Sequence, residues 1–348
     1  MLRESETAPV ITDVAIIGAG PVGLFAVFEC GMLKLRATVI DALSAPGGQC
    51  TALYPEKPIY DIPAIPRISG HALIAALERQ IAPFQPNILL GRRVERLSGT
   101  RGAFRLTTDR GETIAAKAVI IAAGAGAFGP NRPPLDDIAA YEATGAVQYF
   151  VRTPDSLRGQ RVVIAGGGDS ALDWALALRG IAAEIALVHR RAKFRAAPES
   201  AAQLAAAAAA GEITLVTPYQ LASLRGEGGH LSEVVVESLD GGEKRLKADR
   251  LLAFFGLSTD LGPIASWGLA LAQHRLRVDP ATAETSIPGI FAIGDVAHYP
   301  GKLKLILQGF SEAAMAAHAI HPIVHPDQAL HFAYSTTTGV PPLDGADR

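Results

Sequence analysis

The sequence predicts an α/β fold assembled from two domains of the same kind, and three observations lead there. A strand–glycine turn–helix fingerprint occurs twice, across residues 14–23 and 162–171. Each copy has a β-branched strand before the turn, an apolar helix after it and a second strand beyond, the full context of a dinucleotide-binding unit. Far downstream, Ile290-Phe291-Ala292-Ile293-Gly294-Asp295 reads as a strand ending in a carboxylate, so the chain returns to complete the first domain. The expected architecture is a pair of Rossmann-like, three-layer ββα dinucleotide-binding domains, one inserted in the other. Residues 1–123 and 251–348 make the discontinuous first domain and 124–250 the inserted second.

Each element has its reason. In the first turn Gly18, Gly20 and Gly23 allow a tight bend, close backbone approach to a pyrophosphate and close helix packing, with Pro21 opening the helix. The second strand closes on Asp41, a carboxylate suited to ribose hydroxyls, which points to FAD or NAD. A helix over 70–81 and strand-like runs at 104–108 and 118–122 lead into Ala122-Ala123-Gly124-Ala125-Gly126-Ala127. Such small residues suit a chain that passes close to a cofactor and changes domain. The second turn holds Gly166, Gly168, Asp169, Ser170 and Ala171. His189 stands at the offset that Asp41 has in the first copy, followed by Arg190 and Arg191, with Arg195 close behind. A cationic cluster there suits a ribose 2′-phosphate, hence NADPH. An alanine-rich helix from 198 to about 210 follows, then alternating strands around 213–216, 233–238 and 251–255. Helical periodicity returns near 304 and runs to about 320, and a polar, Thr-rich tail begins at 331.

Composition narrows the function classes. The chain has 348 residues, 49% of them hydrophobic, and a formal net charge of −2, so no basic field favours nucleic acid. The apolar stretch 14–33 is a strand–turn–helix rather than a membrane span, because glycines cluster at one turn and Glu29 interrupts it. No other run is long enough to cross a bilayer, and the expectation is a soluble cytoplasmic protein. The two cysteines, Cys30 and Cys50, form no C-x-x-C pair, and the plainer reading is two unreactive thiols. Residues 92, 93 and 96 are arginines that could dock an acidic partner, though a solvated face is the ordinary reading.

Beyond these generic motifs, several segments are more specific: Leu53-Tyr54-Pro55-Glu56-Lys57-Pro58-Ile59-Tyr60-Asp61-Ile62-Pro63, Lys193-Phe194-Arg195-Ala196-Ala197-Pro198-Glu199-Ser200, and Phe255-Gly256-Leu257-Ser258-Thr259. Pro300-Gly301-Lys302-Leu303-Lys304-Leu305-Ile306 and Tyr334-Ser335-Thr336-Thr337-Thr338-Gly339 complete the set. With the glycine turns they make the chain resemble the two-dinucleotide flavoproteins of the thioredoxin reductase superfamily, and within it the thioredoxin-reductase-like ferredoxin–NADP⁺ reductases. Thioredoxin reductases carry a dithiol just before the second fingerprint, whereas residues 143–151 here contain no cysteine.

That resemblance implies FAD on Gly18, Gly20, Pro21 and Gly23, with Asp41 at the adenosine ribose, Gln49 along the flavin and Asp295 on the ribityl chain. Tyr54 would stack on one flavin face, and Tyr334 from the partner of a homodimer would cover the other. Ser335 and Thr336 would lie at the flavin edge, Asp61, Val94 and Leu305 would touch FAD, and the helix near 304 would aim its N-terminus at the flavin. The implied activity is hydride transfer between NADPH and FAD, coupled to one-electron transfer to or from ferredoxin. Domain rotation or displacement of Tyr334 would admit the nicotinamide. Taken without the resemblance, Tyr54 is a packing residue in a Pro-rich loop, Tyr334 a tail anchor and Asp61 a turn residue. Alternatives that stay open are another NADPH-dependent flavin reductase acting on flavodoxin, quinones or iron chelates, and a non-catalytic sensor that binds FAD and NADPH.

Overall fold

The computed structural model describes residues 8–151, 153–330 and 339–341. The chain divides into two compact units, 1–127 with 259–348, and 128–258. The sequence puts the crossings at 123/124 and 250/251. The units part at 127/128 and 258/259, and the two connecting segments, Ala127–Pro130 and Leu257–Asp260, pair as a short ribbon.

In the first unit the described residues build a seven-stranded sheet around Thr113–Ile121. This strand is longer than the sequence suggests because it serves two purposes. Along one edge it runs parallel to Val10–Ile17, which pairs in turn with Ala37–Asp41, and that strand with Asn87–Leu90. Along its other edge the first half pairs antiparallel with Ala103–Thr108, while the last three residues pair parallel with Ile290–Ala292. One strand thus joins a parallel sheet to an antiparallel meander, which accounts for the three-layer ββα arrangement.

Burial follows this division. Val14 and Ile16 face helices Pro21–Met32, Gly70–Ile81 and Ile306–Val324, in a core with Leu24, Val27, Leu73 and Ala316. Ala15, Ile17 and Ile121 face the opposite layer, with Leu106, Ile114 and Val296. Strands buried on both faces read as continuous apolar runs, which is why Val14-Ala15-Ile16-Ile17 carries no polar alternation. The last helix begins two residues later than the periodicity suggests and extends to Val324.

The second unit repeats the parallel design more simply. Its five-stranded sheet has the order Val147–Gln148, Arg250–Phe254, Arg161–Gly166, Glu184–Val188, Thr214–Val216, with every pairing parallel. The expected strand around 233–238 is the middle of an antiparallel meander, Gln220–Glu227, His230–Glu237 and Glu243–Lys247. Its outer strands are mostly polar and exposed, so hydrophobic pattern signals only the central one.

Helix packing in the first unit depends on a close approach at Gly309. A Cβ added there would meet Val22 Cγ2 at 2.3 Å. On an open helix, Gly→Ala gains about 1 kcal/mol of helix propensity. Here Gly309→Ala is expected instead to lose about 1–3 kcal/mol by overpacking against a stiff β-branched side chain. Urea unfolding of the full chain measures the sign, and a stabilised variant would refute the packing account.

Candidate functional site

Register brings three turns to one edge of the first sheet. Ile17 lies beside Ile121, and Ile121 beside Ala292. The ladder then continues one step past the strand ends. Ala122 N–H donates to Ile17 O at 2.8 Å, and Ile293 N–H to Ile121 O at 3.0 Å. The glycine turn after Ile17, the small-residue stretch after Ile121 and the Gly294–Val296 turn therefore open at the carboxyl edge of a parallel sheet, where such sheets bind ligands.

The glycines of the first turn divide between packing and approach. Gly18 has φ +112°, and a Cβ on it would meet Ala122 O at 2.4 Å. A Cβ on Gly23 would strike Gly18 O at 1.9 Å, so that position lets the helix start against the turn. Gly20, by contrast, would project a Cβ into open space with no heavy atom within 4 Å. This is the surface that a pyrophosphate can reach. Gly20 is also the N-cap of Pro21–Met32 and offers no side-chain cap, which leaves the first-turn N–H groups for an anion.

Asp41 is fixed before any ligand arrives. Its Oδ2 accepts from Ala19 N–H at 2.6 Å and its Oδ1 from Leu43 N–H at 2.8 Å. Burial raises its pKa, against these two hydrogen bonds, which lower it. Each oxygen keeps a lone pair for a ribose hydroxyl. Gly47 N–H donates to Ala19 O at 2.8 Å and seats the next loop on the turn. Gln49 begins the Gln49–Ala52 helix, and its Nε2 lies 3.8 Å from where a Gly124 Cβ would be.

Tyr54, Cys50 and Asp295 form one cluster. Tyr54 is half-buried against the helical core, and Asp295 is half-buried in its turn. Burial pushes the Cys50 thiol up to about 11, a hydrogen bond with Tyr54 acts the other way, and the Asp295 charge adds to the rise. The Tyr54 phenol is raised too, by burial first and then by Cys50 and Asp295. Cys30 lies fully in the core, and burial raises it to about 12. Burial thus favours the protonated thiol over the nucleophilic thiolate at both positions.

The remaining expected contacts are less central. Asp61 is exposed, Val94 is buried in the antiparallel layer, and Leu305 is the exposed N-cap of Ile306–Val324. Tyr334, Ser335 and Thr336 lie outside the described residues. Of the arginines proposed as a docking patch, Arg92 pairs with Glu112 at 3.2 Å and Arg93 with Glu95 at 2.6 Å, which supports the solvated-face reading.

In the second unit the turn Gly166-Gly167-Gly168 leads into Asp169–Ala177, again without a side-chain cap on its N-cap, Gly168. Ser170 lies in the first helical turn, and Ala171 is buried with its Cβ position against Gly166. The 193–197 loop is tied to this turn. Arg195 N–H donates to Gly167 O at 2.7 Å, and Ala197 N–H to Asp169 Oδ1 at 2.8 Å. Arg195 thereby stands at the turn itself. Arg190 and Arg191 instead line a cavity of about 290 Å³ with Tyr219, Gln220, Glu237 and Leu239. Those last four were not legible as site residues, because the meander that carries them has no sequence motif.

His189 differs from its arginine neighbours. Its ring lies beneath Gly167, where a Cβ would come within 2.1 Å of it, and stacks on Phe194 at 5.3 Å. Burial is the first cause of a lowered pKa, and Arg190, Arg191 and Arg195 lower it further. The shift favours the neutral ring, whereas Arg190, Arg191 and Arg195 remain exposed cations.

The residues fit the dinucleotides that the motifs imply: open-faced Gly20 and anchored Asp41 in one unit, and exposed arginines around a cavity in the other. A family model described as pyridine nucleotide-disulphide oxidoreductase matches residues 12–319. The chain belongs to this family of two-domain flavoproteins. It is 73% identical over 339 residues to a ferredoxin–NADP reductase of Granulibacter bethesdensis, covering 97% of each chain. It is 58% identical to the ferredoxin–NADP reductase of Rhodospirillum rubrum, covering 97% of this chain and 99% of that one. Among solved structures, the thioredoxin reductase of Lactococcus lactis shares the fold, with a TM-score of 0.79 at 23% identity over 90% of this chain and 99% of that one.

The His189 environment gives a signed pH dependence. Well above 6.5 the imidazole is neutral in both folded and unfolded chains, and its stabilising contribution is complete. As pH falls below that value the unfolded chain takes up the proton first, so stability is lost until pH passes the lower folded-state value. The stability difference between wild type and His189→Gln, from urea unfolding between pH 7.5 and 5, is therefore expected to shrink on acidification. A difference that grew would place a charged imidazole in the folded state.

Proposed function

We propose that this protein is a ferredoxin–NADP⁺ reductase that holds FAD in its first unit and NADPH in its second. One observation carries the choice within the family. Its only two cysteines are buried, high-pKa thiols on separate helices, so no internal dithiol can take up reducing equivalents. Electrons drawn from NADPH must leave for an external acceptor, and ferredoxin is the acceptor in the names of the relatives at 58–73% identity.

Bound FAD supplies the capacity to accept a hydride and release electrons singly. The chain's own residues bind and orient. Gly18, Gly20, Pro21 and Gly23 hold the pyrophosphate against the first helix, Asp41 takes the adenosine ribose, and Asp295 takes the ribityl hydroxyls. Gln49, Asp61, Val94, Leu305 and Thr336 complete the contacts. Tyr54, kept as the neutral phenol by burial, stacks on one flavin face. Tyr334 of a second protomer in a homodimer covers the other, with Ser335 at the edge. Gly166, Gly168, Asp169, Ser170 and Ala171 receive the NADPH pyrophosphate. Arg190, Arg191 and Arg195 bind the 2′-phosphate, and His189 packs beneath the turn. No helix among the described residues is long and apolar enough to cross a membrane, and free thiols accord with work in the reducing cytoplasm.

NADPH-driven cytochrome c reduction tests the function directly. Strong stimulation by ferredoxin and a marked preference for NADPH over NADH are expected. Rapid reduction without ferredoxin stimulation would move the assignment to another acceptor. Replacing Arg190 and Arg191 together with alanine is expected to raise the KM for NADPH at least about tenfold by removing charge-assisted phosphate contacts, while leaving that for NADH nearly unchanged. Equal losses for both coenzymes would remove the arginines from 2′-phosphate recognition.

A further inference from the structure

Behind the Gly294–Val296 turn lies a charged pair with almost no access to water. The side chains of Lys302 and Glu312 are each only 2% exposed, and Lys302 Nζ donates to Glu312 Oε1. Tyr299 O–H donates to the same oxygen at 2.6 Å, and Gln308 Nε2 donates to the Tyr299 oxygen at 2.6 Å. Gln308 Oε1 in turn accepts from Leu303 N–H at 3.2 Å. The other carboxylate oxygen, Oε2, accepts from buried Gly294 N–H at 2.7 Å.

Burying two charges is costly, and an apolar pair of similar volume is often as stabilising or more so. Stability alone therefore does not account for this arrangement. Its connections do suggest a purpose. One oxygen of Glu312 is held by Lys302 and Tyr299, from the loop that enters the last helix. The other is left to hold the turn that presents Asp295. Gly294, with φ +73°, packs against the same Val22 that Gly309 meets, beside the first glycine turn. The carboxylate thus links the Asp295 turn to the loop into Ile306–Val324.

We propose that Glu312 is a positioning residue for the FAD site: by accepting from Gly294 N–H, with Lys302 and Tyr299 fixing its other oxygen, it sets the Asp295 turn in its binding geometry. The role rests on the reading that this unit holds FAD. It does not require Glu312 to touch the cofactor.

The role has a distinctive mutational signature, because an amide has only one acceptor oxygen. In Glu312→Gln, Lys302 and Tyr299 claim that oxygen, and the amide NH₂ is left facing Gly294 N–H, donor against donor. Removing the ammonium as well, in Lys302→Met/Glu312→Gln, lets the amide rotate and present its oxygen to Gly294. In Lys302→Met/Glu312→Leu there is no acceptor at all. The measurement is the Kd for FAD, read from recovery of flavin fluorescence as full-length FAD-loaded protein is diluted, with a melting temperature recorded beside it.

Glu312→Gln and the Met/Leu pair are each expected to bind FAD at least about tenfold more weakly, the scale of one lost charge-assisted hydrogen bond. The Met/Gln pair is expected to recover most of that loss despite having no charge at either position. Wild-type affinity in Glu312→Gln, or equal affinity in the Met/Gln and Met/Leu pairs, would overturn the positioning role. The two double variants also decide the matter if Glu312→Gln fails to fold. A wild-type chain that takes up no FAD would defeat the cofactor reading itself, and the positioning role with it.

Discussion

Everything at the first site depends on the parallel register that aligns Ile17, Ile121 and Ala292. Three turns distant in sequence emerge side by side because their strands end at the same level. Backbone hydrogen bonds from Ala122 and Ile293 carry the ladder one residue further and fix where each turn begins. A shift of one residue in any of these strands would exchange its two buried faces. Both faces are packed, one against helices and the other against the antiparallel layer. The core that stabilises the sheet is therefore also what aligns the turns.

The two units show how one backbone solution takes on different chemistry. Each has a parallel strand, an uncapped helix N-terminus and a glycine turn packed on a neighbouring strand: Gly18 on Ala122, Gly166 on Phe254. They diverge at the end of the next strand. In the first, Asp41 is drawn inward and anchored by two backbone N–H groups. In the second, His189 is turned under the glycine loop as a neutral ring while Arg190, Arg191 and Arg195 remain exposed. Sequence offset alone equates His189 with Asp41. In the fold the exposed charge at this position sits on the arginines that follow.

Legibility in the sequence tracked locality. The helix expected over 70–81 is Gly70–Ile81, with Ser69 Oγ accepting from Ala72 N–H, because amphipathic period and cap sit within a few residues of each other. The glycine turns and Gly294-Asp295 were equally plain, since each needs a particular residue at a particular backbone position. The outer meander strands carry no comparable signal, and neither do Tyr219, Gln220 and Glu237 around the second-unit cavity. Glu312 was hidden for a different reason. A carboxylate on an apolar helix gives no sign of the lysine ten positions earlier that will be buried with it.

The cysteines show why chemistry diverges within so uniform a fold. Redox work by a thiol needs a thiolate fraction and a partner sulfur within reach. Cys30 has apolar core around it, and Cys50 is buried with the negative charge of Asp295 nearby, against a hydrogen bond with Tyr54, so both environments favour the protonated thiol. The Asp295 charge thus adds to the burial that raises the Cys50 thiol. Cys50 is thereby suited to packing and to its hydrogen bond with Tyr54 rather than to redox work.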